Sequence, residues 1–308
     1  MFFIKSAVRR LILACTIFVL AVSLFVSCRP QTAREIIDRS GRPVQISGSI
    51  SRVVSTSPSN TEIIVDLGLA SKLVAVDVHS ADIGGLPSNL LYLDFFYPDA
   101  EALVSLNPDL ILASGHNPTG TGDDPFQLLR EMGIAVAYIS MSESINDIYL
   151  DIAFVADLLQ AGEAGENLIN SMKSQVAEIA QKSAGIVNRK SVYLEISAAP
   201  YMMTFGRGSY IDDMITVIGA HNIFGSEDWL VMPGAESVIS LNPDVILTTV
   251  DYIEDPIDEI KSRPGFEHID AVRFNQIYQI DTNSAVRNSA RIILALRQMS
   301  QAVYPELW

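Results

Sequence analysis

Short apolar runs alternate with longer, more polar segments along the chain from about residue 50 onward. Each pair of runs is separated by enough residues for a crossover helix, as parallel strands require. The pattern therefore predicts two α/β units with mainly parallel sheets. The runs are Arg52–Ser55, Leu73–Val76, Leu110–Ala113 and Val136–Ile139 in the first unit, and Val192–Ile196, Val245–Thr248 and Ile277–Ile280 in the second.

Between these units, residues 142–184 contain no proline and carry apolar side chains at helical spacing. Ser142 or Ser144 is suited to cap the start of a helix, whereas Gly162 and Gly165 mark a break into two helices. The segment predicts a stiff helical connection between the two units.

An internal repeat links the two units. Pro98–Leu112 aligns without gaps to Pro233–Leu247, with ten of fifteen positions identical and an offset of 135 residues. Each copy predicts a helix, an Asn-Pro-Asp turn and a buried strand. We interpret the Asn-Pro-Asp turns as structural.

The repeat also places one glutamate, Glu101 or Glu236, just after a proline at the start of each predicted helix. A carboxylate there is stabilised by the helix dipole and stays exposed, so simple helix stabilisation is one interpretation. Because the two glutamates occupy equivalent places on two units, the other interpretation is docking onto a two-fold symmetric partner.

The first residues have the features of a targeting signal. Lys5, Arg9 and Arg10 precede the apolar run Leu11–Val26, and Ser27-Cys28 follows it. This arrangement resembles a bacterial lipobox, in which the cysteine becomes the lipidated N-terminus. The alternative is an uncleaved anchor helix, and both place the remaining chain outside the cytoplasmic membrane.

Composition narrows the function further. The 308 residues suggest about two domains, and the net charge of −15 argues against nucleic-acid binding because a polyphosphate would be repelled. The only cysteine besides Cys28 is Cys15, inside the predicted signal, so the mature chain has no disulfide and no cysteine metal site. Residues 35–46 predict a small hairpin around Gly41.

Several segments resemble the iron-chelate and cobalamin class of ABC-importer substrate-binding proteins, most closely the cobalamin-binding branch. The resemblance rests on the opening segment Arg52–Glu62, the continuation Leu67–Asp77, the two glutamate repeats, the segment Gly206–Asp213, and Arg291 with the closing helix. It covers roughly residues 34–306, and the order and spacing of the segments make it specific.

The resemblance implies the class III periplasmic-binding fold: two Rossmann-like lobes joined by one long interdomain helix, with small hinge movement. We expect a signal peptide at 1–27, a linker and hairpin at 28–50, lobes at 51–141 and 189–308, and a helical connection at 142–188. The resemblance also implies that Glu101 and Glu236 pair with arginines of an ABC permease dimer, which works with ATPase subunits. We expect a monomer held at the membrane by a lipid on Cys28.

The ligand, on this resemblance, lies between the lobes, at the carboxyl ends of the strands. We expect a transported cobalt corrinoid or ferric siderophore and no intrinsic cofactor, because aromatic walls with few polar contacts suit a planar chelate. The candidate ligand-binding residues are Ser57, Pro58, His79, Phe95, Phe96, His116, Tyr201, Trp229, Tyr252 and Arg287.

Two other classes of function stay open. A bare Zn or Mn ion needs converging ligands, but no two of the four histidines have helical or hairpin ligand spacing. His79 or His116 could instead be an axial ligand to haem or a corrinoid. An extracytoplasmic hydrolase is the enzyme alternative, yet phosphate-loop, His-Glu-x-x-His and Gly-x-Ser-x-Gly motifs are absent from the sequence. We therefore expect a binding protein and not an enzyme.

Overall fold

In the computed structural model, residues 33–115, 117 and 124–308 are described. The predicted signal peptide, Cys28 and His116 lie outside these residues. Among the described helices, none is long and apolar enough to cross a membrane.

The first lobe is a five-stranded parallel sheet with a hairpin at its edge. In chain order the elements are β1 (Arg34–Ile37), β2 (Pro43–Ile46), β3 (Val53–Ser55), α1 (Pro58–Asp66), β4 (Leu73–Asp77), β5 (Leu91–Leu93), α2 (Ala100–Ser105), β6 (Leu110–Ser114), α3 (Gln127–Glu131) and β7 (Ala135–Ile139). The hairpin strands β1 and β2 pair antiparallel, as predicted, and the strand order of the sheet is β5-β4-β3-β6-β7.

Two helices, α4 (Ile145–Leu158) and α5 (Gly162–Ser183), connect the lobes. Ser144 caps the first of them by accepting a hydrogen bond from the Asp147 N–H. The chain breaks between the helices at Gln160, which has a φ of 60°. The two helices then pack against each other, so the connection is a helical pair containing one 22-residue helix.

The second lobe is built on a four-stranded parallel sheet. In chain order its elements are β8 (Ser191–Glu195), β9 (Thr204–Phe205), α6 (Tyr210–Val217), β10 (His221–Asn222), β11 (Leu230–Val231), α7 (Ala235–Leu241), β12 (Val245–Thr248), α8 (Pro256–Ser262), α9 (Asp270–Arg273), β13 (Ile277–Gln279), α10 (Thr282–Val286) and α11 (Ile292–Val303). The strand order of the sheet is β10-β8-β12-β13, and the short strands β9 and β11 form a separate antiparallel pair.

All seven strands predicted from apolar runs are present, which confirms the two-lobed α/β fold. Sequence reasoning missed β5 and β10, which are edge strands of three and two residues. Leu91 and Tyr92 of β5 are exposed, so this strand lacks the apolar run that marks a central parallel strand.

One apolar core runs through both lobes. It contains Val53 and Leu110 of the first sheet, Ile152 of the connection, and Val192 and Leu247 of the second sheet. Two smaller clusters cover the other face of each sheet. Because the helical connection shares its core with both sheets, the lobes are coupled by packing as well as by the chain.

The Asn-Pro-Asp repeat has the structural role that we expected. Asn107 and Asn242 end the two repeat helices in the left-handed conformation, with φ of 44° and 43°. Asp109 accepts hydrogen bonds from the N–H and hydroxyl of Ser51, and Asp244 accepts the same pair from Ser191. Each aspartate therefore ties its turn to the segment that leads into the neighbouring strand.

A close approach between the connecting helices gives the first prediction. A Cβ atom on Gly165 would lie 2.5 Å from the Cβ of Ala156, so the two helices must separate to accept it. We expect Gly165→Ala to lower the free energy of unfolding by about 1–2 kcal/mol, because overpacking outweighs the gain in helix propensity of about 1 kcal/mol. Urea denaturation measures the change.

Gly162→Ala is the matched control, because the same helix offers open space around Gly162. We expect this variant to be as stable as the wild type or slightly more so. Equal stabilities of the two alanine variants would contradict the close helix contact.

Candidate functional site

A cavity of about 620 Å³ lies between the lobes, at the carboxyl ends of the strands of both sheets. The first lobe supplies most of its wall and the second lobe closes it. Its lining residues are Thr56, Ser57, Pro58, Ser59, Asp77, His79, Phe95, Phe96, Ser114, Asn117, Asp251, Thr282, Asn283, Val286 and Arg287.

A smaller cavity of about 220 Å³ adjoins it and shares Ser57, Ser59, Ser114 and Val286 with it. The other lining residues of this inner cavity are Asn60, Ile139, Ser140, Met141, Ser142, Ile196, Phe205, Tyr210, Trp229 and Asn288. The two cavities therefore form one cleft with a wide outer part and a narrow, mostly apolar inner part.

The floor of the cleft is held by hydrogen bonds around the start of α1. The Ser57 hydroxyl caps this helix by accepting from the Asn60 N–H, and Pro58 occupies the first turn, where no N–H is needed. The Thr56 hydroxyl donates to Asn117 Oδ1 over 2.7 Å, and the Asn117 amide donates to the Phe95 carbonyl. These bonds fix the loops after β3, β5 and β6 relative to one another.

Trp229 forms part of the inner wall in an uncommon backbone conformation. Its φ of 54° lies in the left-handed region, which bulky residues seldom adopt. The conformation is held from both sides, since Trp229 N donates to the Arg207 carbonyl and Gly206 N donates to the Trp229 carbonyl. The indole meets the Phe205 ring edge-on at 5.5 Å. A constrained aromatic in a cleft points to a functional role.

Gly206 makes this arrangement possible. A Cβ at that position would lie 2.2 Å from the Glu227 carbonyl oxygen, so only glycine allows the tryptophan loop to approach. This contact explains one glycine of the segment Gly206–Asp213 on which the family resemblance partly rests.

Glu62 carries the polar link between the lobes. Its side chain is 2% exposed. It lies on α1 of the first lobe and accepts hydrogen bonds from side chains of the second lobe. Arg287 donates over 2.9 Å, Arg291 over 3.3 Å, and the Ser289 hydroxyl donates to the other carboxylate oxygen. Charge-assisted hydrogen bonds of this kind are stronger than neutral ones.

Arg287 extends the link to Asp82. Its two terminal nitrogens donate to the two Asp82 oxygens over 3.0 and 2.9 Å, and one of them also donates to the His79 carbonyl. Asn283 donates to Asp82 as well, over 2.8 Å. The hydrogen bonds from Arg287 hold the pKa of the Asp82 carboxyl below its ordinary value. The guanidinium thus bridges two carboxylates of the first lobe.

Asp77 is the buried carboxylate of the outer cavity. It accepts the His79 N–H over 2.9 Å, and burial raises its pKa above the ordinary value. Asp251, on the opposite wall, is exposed, and within the described residues its carboxylate takes part in no ion pair or hydrogen bond. The wall therefore presents acidic groups from both lobes.

The structure brings most of the candidate ligand-binding residues to this cleft. Six of them line the outer cavity, Trp229 lines the inner one, and Ser57 lines both; the six are Ser57, Pro58, His79, Phe95, Phe96 and Arg287. Tyr201 and Tyr252 line neither cavity. The Tyr252 hydroxyl accepts the Ala198 N–H, and Tyr201 is 74% exposed. His116 lies outside the described residues.

Sequence reasoning missed Glu62 and Asp82. Glu62 ends the opening segment Arg52–Glu62 but had no assigned role, and its neighbours Ile63 and Ile64 do not signal its burial, because successive residues of a helix point about 100° apart. Asp82 and Asn283 lie 201 residues apart in sequence, and only the tertiary structure joins them.

Glu101 and Glu236 are exposed, and each is the second residue of its repeat helix. Each also follows an aromatic residue of the cleft, since Phe96 precedes Glu101 and Trp229 precedes Glu236 by a few residues. In the described part of the chain, neither glutamate takes part in an ion pair. Both therefore present a carboxylate at the surface that is not paired with a described cation.

The described residues contain no cluster of metal ligands. Within residues 33–115, 117 and 124–308, no three His, Cys, Asp or Glu side chains lie close enough together to hold a metal ion.

Comparison with known proteins gives a family match. The model of the periplasmic binding protein family matches residues 53–283, which cover both lobes and the connection.

Three similar proteins illustrate the match. An uncharacterised ABC transporter substrate-binding lipoprotein of Bacillus subtilis is 29% identical over 276 residues, covering 88% of this chain and 85% of that protein. A vitamin B12-binding protein of Vibrio vulnificus is 23% identical, covering 82% and 89%. The structure of a periplasmic heme-binding protein of Roseiflexus sp. RS-1, in its apo form, superposes with a TM-score of 0.73 at 25% identity, covering 85% and 100%.

The link through Arg287 gives the second prediction. Arg287→Met leaves the buried Glu62 and the carboxylate of Asp82 without their main cation, so we expect a loss of about 3 kcal/mol in the free energy of unfolding. Chemical denaturation of the single variants and of the double variant Glu62→Gln/Arg287→Met gives the coupling energy, which we expect to exceed about 1 kcal/mol.

Lys261→Met is the control for this cycle, because it breaks the exposed pair of Lys261 with Asp258 and is expected to change stability little. A loss from Arg287→Met no larger than that of the control would show that the link does not hold the lobes together.

Proposed function

The chain belongs to the periplasmic binding protein family, and from this premise we propose that it captures a metal chelate, a cobalt corrinoid or a ferric siderophore, between its lobes. Proteins of this family are transport components and not enzymes. The chain is a substrate-binding protein of an ABC transporter, acts outside the cytoplasm, and works with permease and ATPase components.

The observation that carries the chelate proposal is the shape of the cleft. The outer cavity of about 620 Å³ is within the range of pockets that hold whole organic ligands and is far larger than a bare ion needs. Both lobes contribute to it, so a ligand seated there contacts both.

Aromatic side chains stand on both sides of this cleft. Phe96 of the first lobe is 76% exposed, and Trp229 of the second is held in a fixed conformation at the inner wall. Exposed aromatic faces stack on flat, apolar ligand surfaces such as a corrin ring or the periphery of a siderophore. The similarity to vitamin B12-binding proteins supports the corrinoid as the first chelate to test.

We also propose that the mature chain is anchored by a lipid on Cys28. The support is the resemblance of the segment ending in Ser27-Cys28 to a lipobox and the similarity to a lipoprotein of Bacillus subtilis. The hairpin of β1 and β2 is the first described element, and two hydrogen bonds join its turn to the first lobe. The Arg39 N–H donates to the Tyr138 carbonyl, and the Tyr138 N–H donates to the Asp38 carboxylate. The anchor would therefore hold the first lobe directly.

The third prediction concerns the ligand. The mature protein, incubated with cyanocobalamin, a ferric hydroxamate, a ferric catecholate and haemin and then desalted, is expected to retain one chelate at a near-equal molar ratio, read from its visible spectrum. Trp229→Ala is expected to raise the dissociation constant of the retained chelate roughly 5- to 150-fold, since stacking on one aromatic contributes about 1–3 kcal/mol.

Trp308→Ala is the matched control, because Trp308 lies at the end of the chain against Ser300 and the ring-facing Lys182, and lines neither cavity. Retention of none of the chelates, together with stoichiometric Zn or Mn by metal analysis, would replace the chelate proposal with the bare-ion alternative.

The fourth prediction concerns the permease. We expect Glu101→Gln and Glu236→Gln together to abolish stimulation of the reconstituted transporter ATPase while ligand affinity stays unchanged, because both carboxylates are exposed and lie outside the cavity walls. Charge-assisted pairs at two points orient a partner and accelerate encounter.

Glu166→Gln removes one exposed charge from the connecting helix and is the control for nonspecific charge effects. If the double variant lost ligand affinity instead, the two glutamates would act in the cleft and not in docking.

A further inference from the structure

The charged side chains of the cleft are few and unevenly distributed. The outer cavity is lined by Asp77, Asp251, His79 and Arg287, and the inner cavity by no charged residue. Neither wall contains a lysine within the described residues. The undescribed positions 116 and 118–123 contain no lysine or arginine in the sequence. Arg287 is therefore the one guanidinium or ammonium group that the described walls offer to a ligand.

That guanidinium is already paired. Arg287 is 8% exposed and makes four hydrogen bonds to groups of the first lobe, two of them to Asp82 and one each to Glu62 and the His79 carbonyl. Its single positive charge faces two carboxylates. An anionic group on a ligand would have to displace Asp82 and leave that carboxylate without its partner, which carries the penalty of an unpaired charge.

The remaining ionised groups of the wall are carboxylates. Asp251 is exposed, and no described side chain neutralises it. Asp77 is 5% exposed and takes part in no described ion pair. The chain as a whole has a net charge of −15, so the field around the cleft has the same sign as its wall.

We propose that the cleft selects chelates that carry no net negative charge, neutral or cationic, and rejects anionic ones, with Asp251 as the specificity-determining residue on the second lobe. This inference rests on the proposed function, because it concerns the same cleft. On this inference the cleft admits neutral corrinoids and neutral or cationic ferric hydroxamates. Its wall repels the negative charges of ferric tris-catecholates and haem.

The test varies ligand charge on a constant core. One series is cyanocobalamin and its monocarboxylic acid, in which one peripheral amide is replaced by a carboxylate. The other is a ferric trihydroxamate with a free amine, the same chelate with the amine acetylated, and the same chelate with the amine succinylated. Dissociation constants are measured by calorimetry at pH 8 and low salt, where exposed charges are least screened.

In the series that binds, we expect the anionic member to bind at least about tenfold more weakly than the neutral one, and the difference to shrink as salt is added. Asp251→Asn is expected to reduce the ratio of the anionic to the neutral dissociation constant several-fold, and Asp251→Lys is expected to reduce this ratio further. Glu166→Gln, which removes one exposed charge away from the cleft, is expected to leave the ratio unchanged.

The charge selection and the chelate function are contradicted by different results. If a neutral and an anionic member of the same series bind equally, or the anionic one more tightly, the charge inference is wrong and the chelate function stands. A ratio that does not change in either Asp251 variant would remove Asp251 from the selection. If no member of either series binds but the protein retains a ferric catecholate, the charge inference is wrong and the chelate function stands. If the ferric catecholate is not retained either, the chelate function is wrong and the inference falls with it.

Discussion

The buried carboxylate of Glu62 is the interaction on which the geometry of the cleft depends. It belongs to α1, whose capping residue Ser57 and first residue Pro58 line the outer cavity. Its hydrogen-bond donors belong to the second lobe. A carboxylate at 2% exposure requires compensation by cations and hydrogen bonds. The helix that supports the ligand floor is therefore fixed to the opposite lobe by an electrostatic requirement.

Packing reinforces this link. The principal core is continuous from the first sheet through the helical connection to the second sheet, and the helices of the connection approach so closely at Ala156 and Gly165 that no side chain fits between them. Because the lobes share a core and buried ion pairs, we expect only small changes of the cleft on binding. A cleft that is organised before its ligand arrives loses less entropy on binding.

The same residues connect the stability of the protein with the chemistry of its site. Arg287 lines the cleft, but its charge serves the contact between the lobes, so the site is left with acidic groups and aromatic faces. Because Arg287 joins the lobes and the carboxylates of the wall stay free, the wall is acidic, and under our proposal this charge excludes anionic chelates.

The seven strands marked by apolar runs, the helical connection, the hairpin and the repeat could be predicted from the sequence, because each depends on local periodicity or on turn residues such as Asn107 and Asn242. The short strands β5, β9, β10 and β11 could not, because they lack such a run. The set of loops at the strand ends followed from the parallel topology, which placed Phe96 and His79 at the cleft. Which loop residues reach its walls did not follow: Tyr252 turns to the Ala198 N–H, and Arg287 pairs with Glu62.

Hydrophobic periodicity and chain connectivity are properties of neighbouring residues, so they suffice to predict the two lobes and a cleft at the strand ends. The partners of the charged groups follow only from the folded chain. Glu62 and Arg287 are 225 residues apart, and no local pattern records that a buried carboxylate in one lobe is neutralised by an arginine of the other. Electrostatic pairing across a cleft depends on distances in space, and these are set only when both lobes have folded.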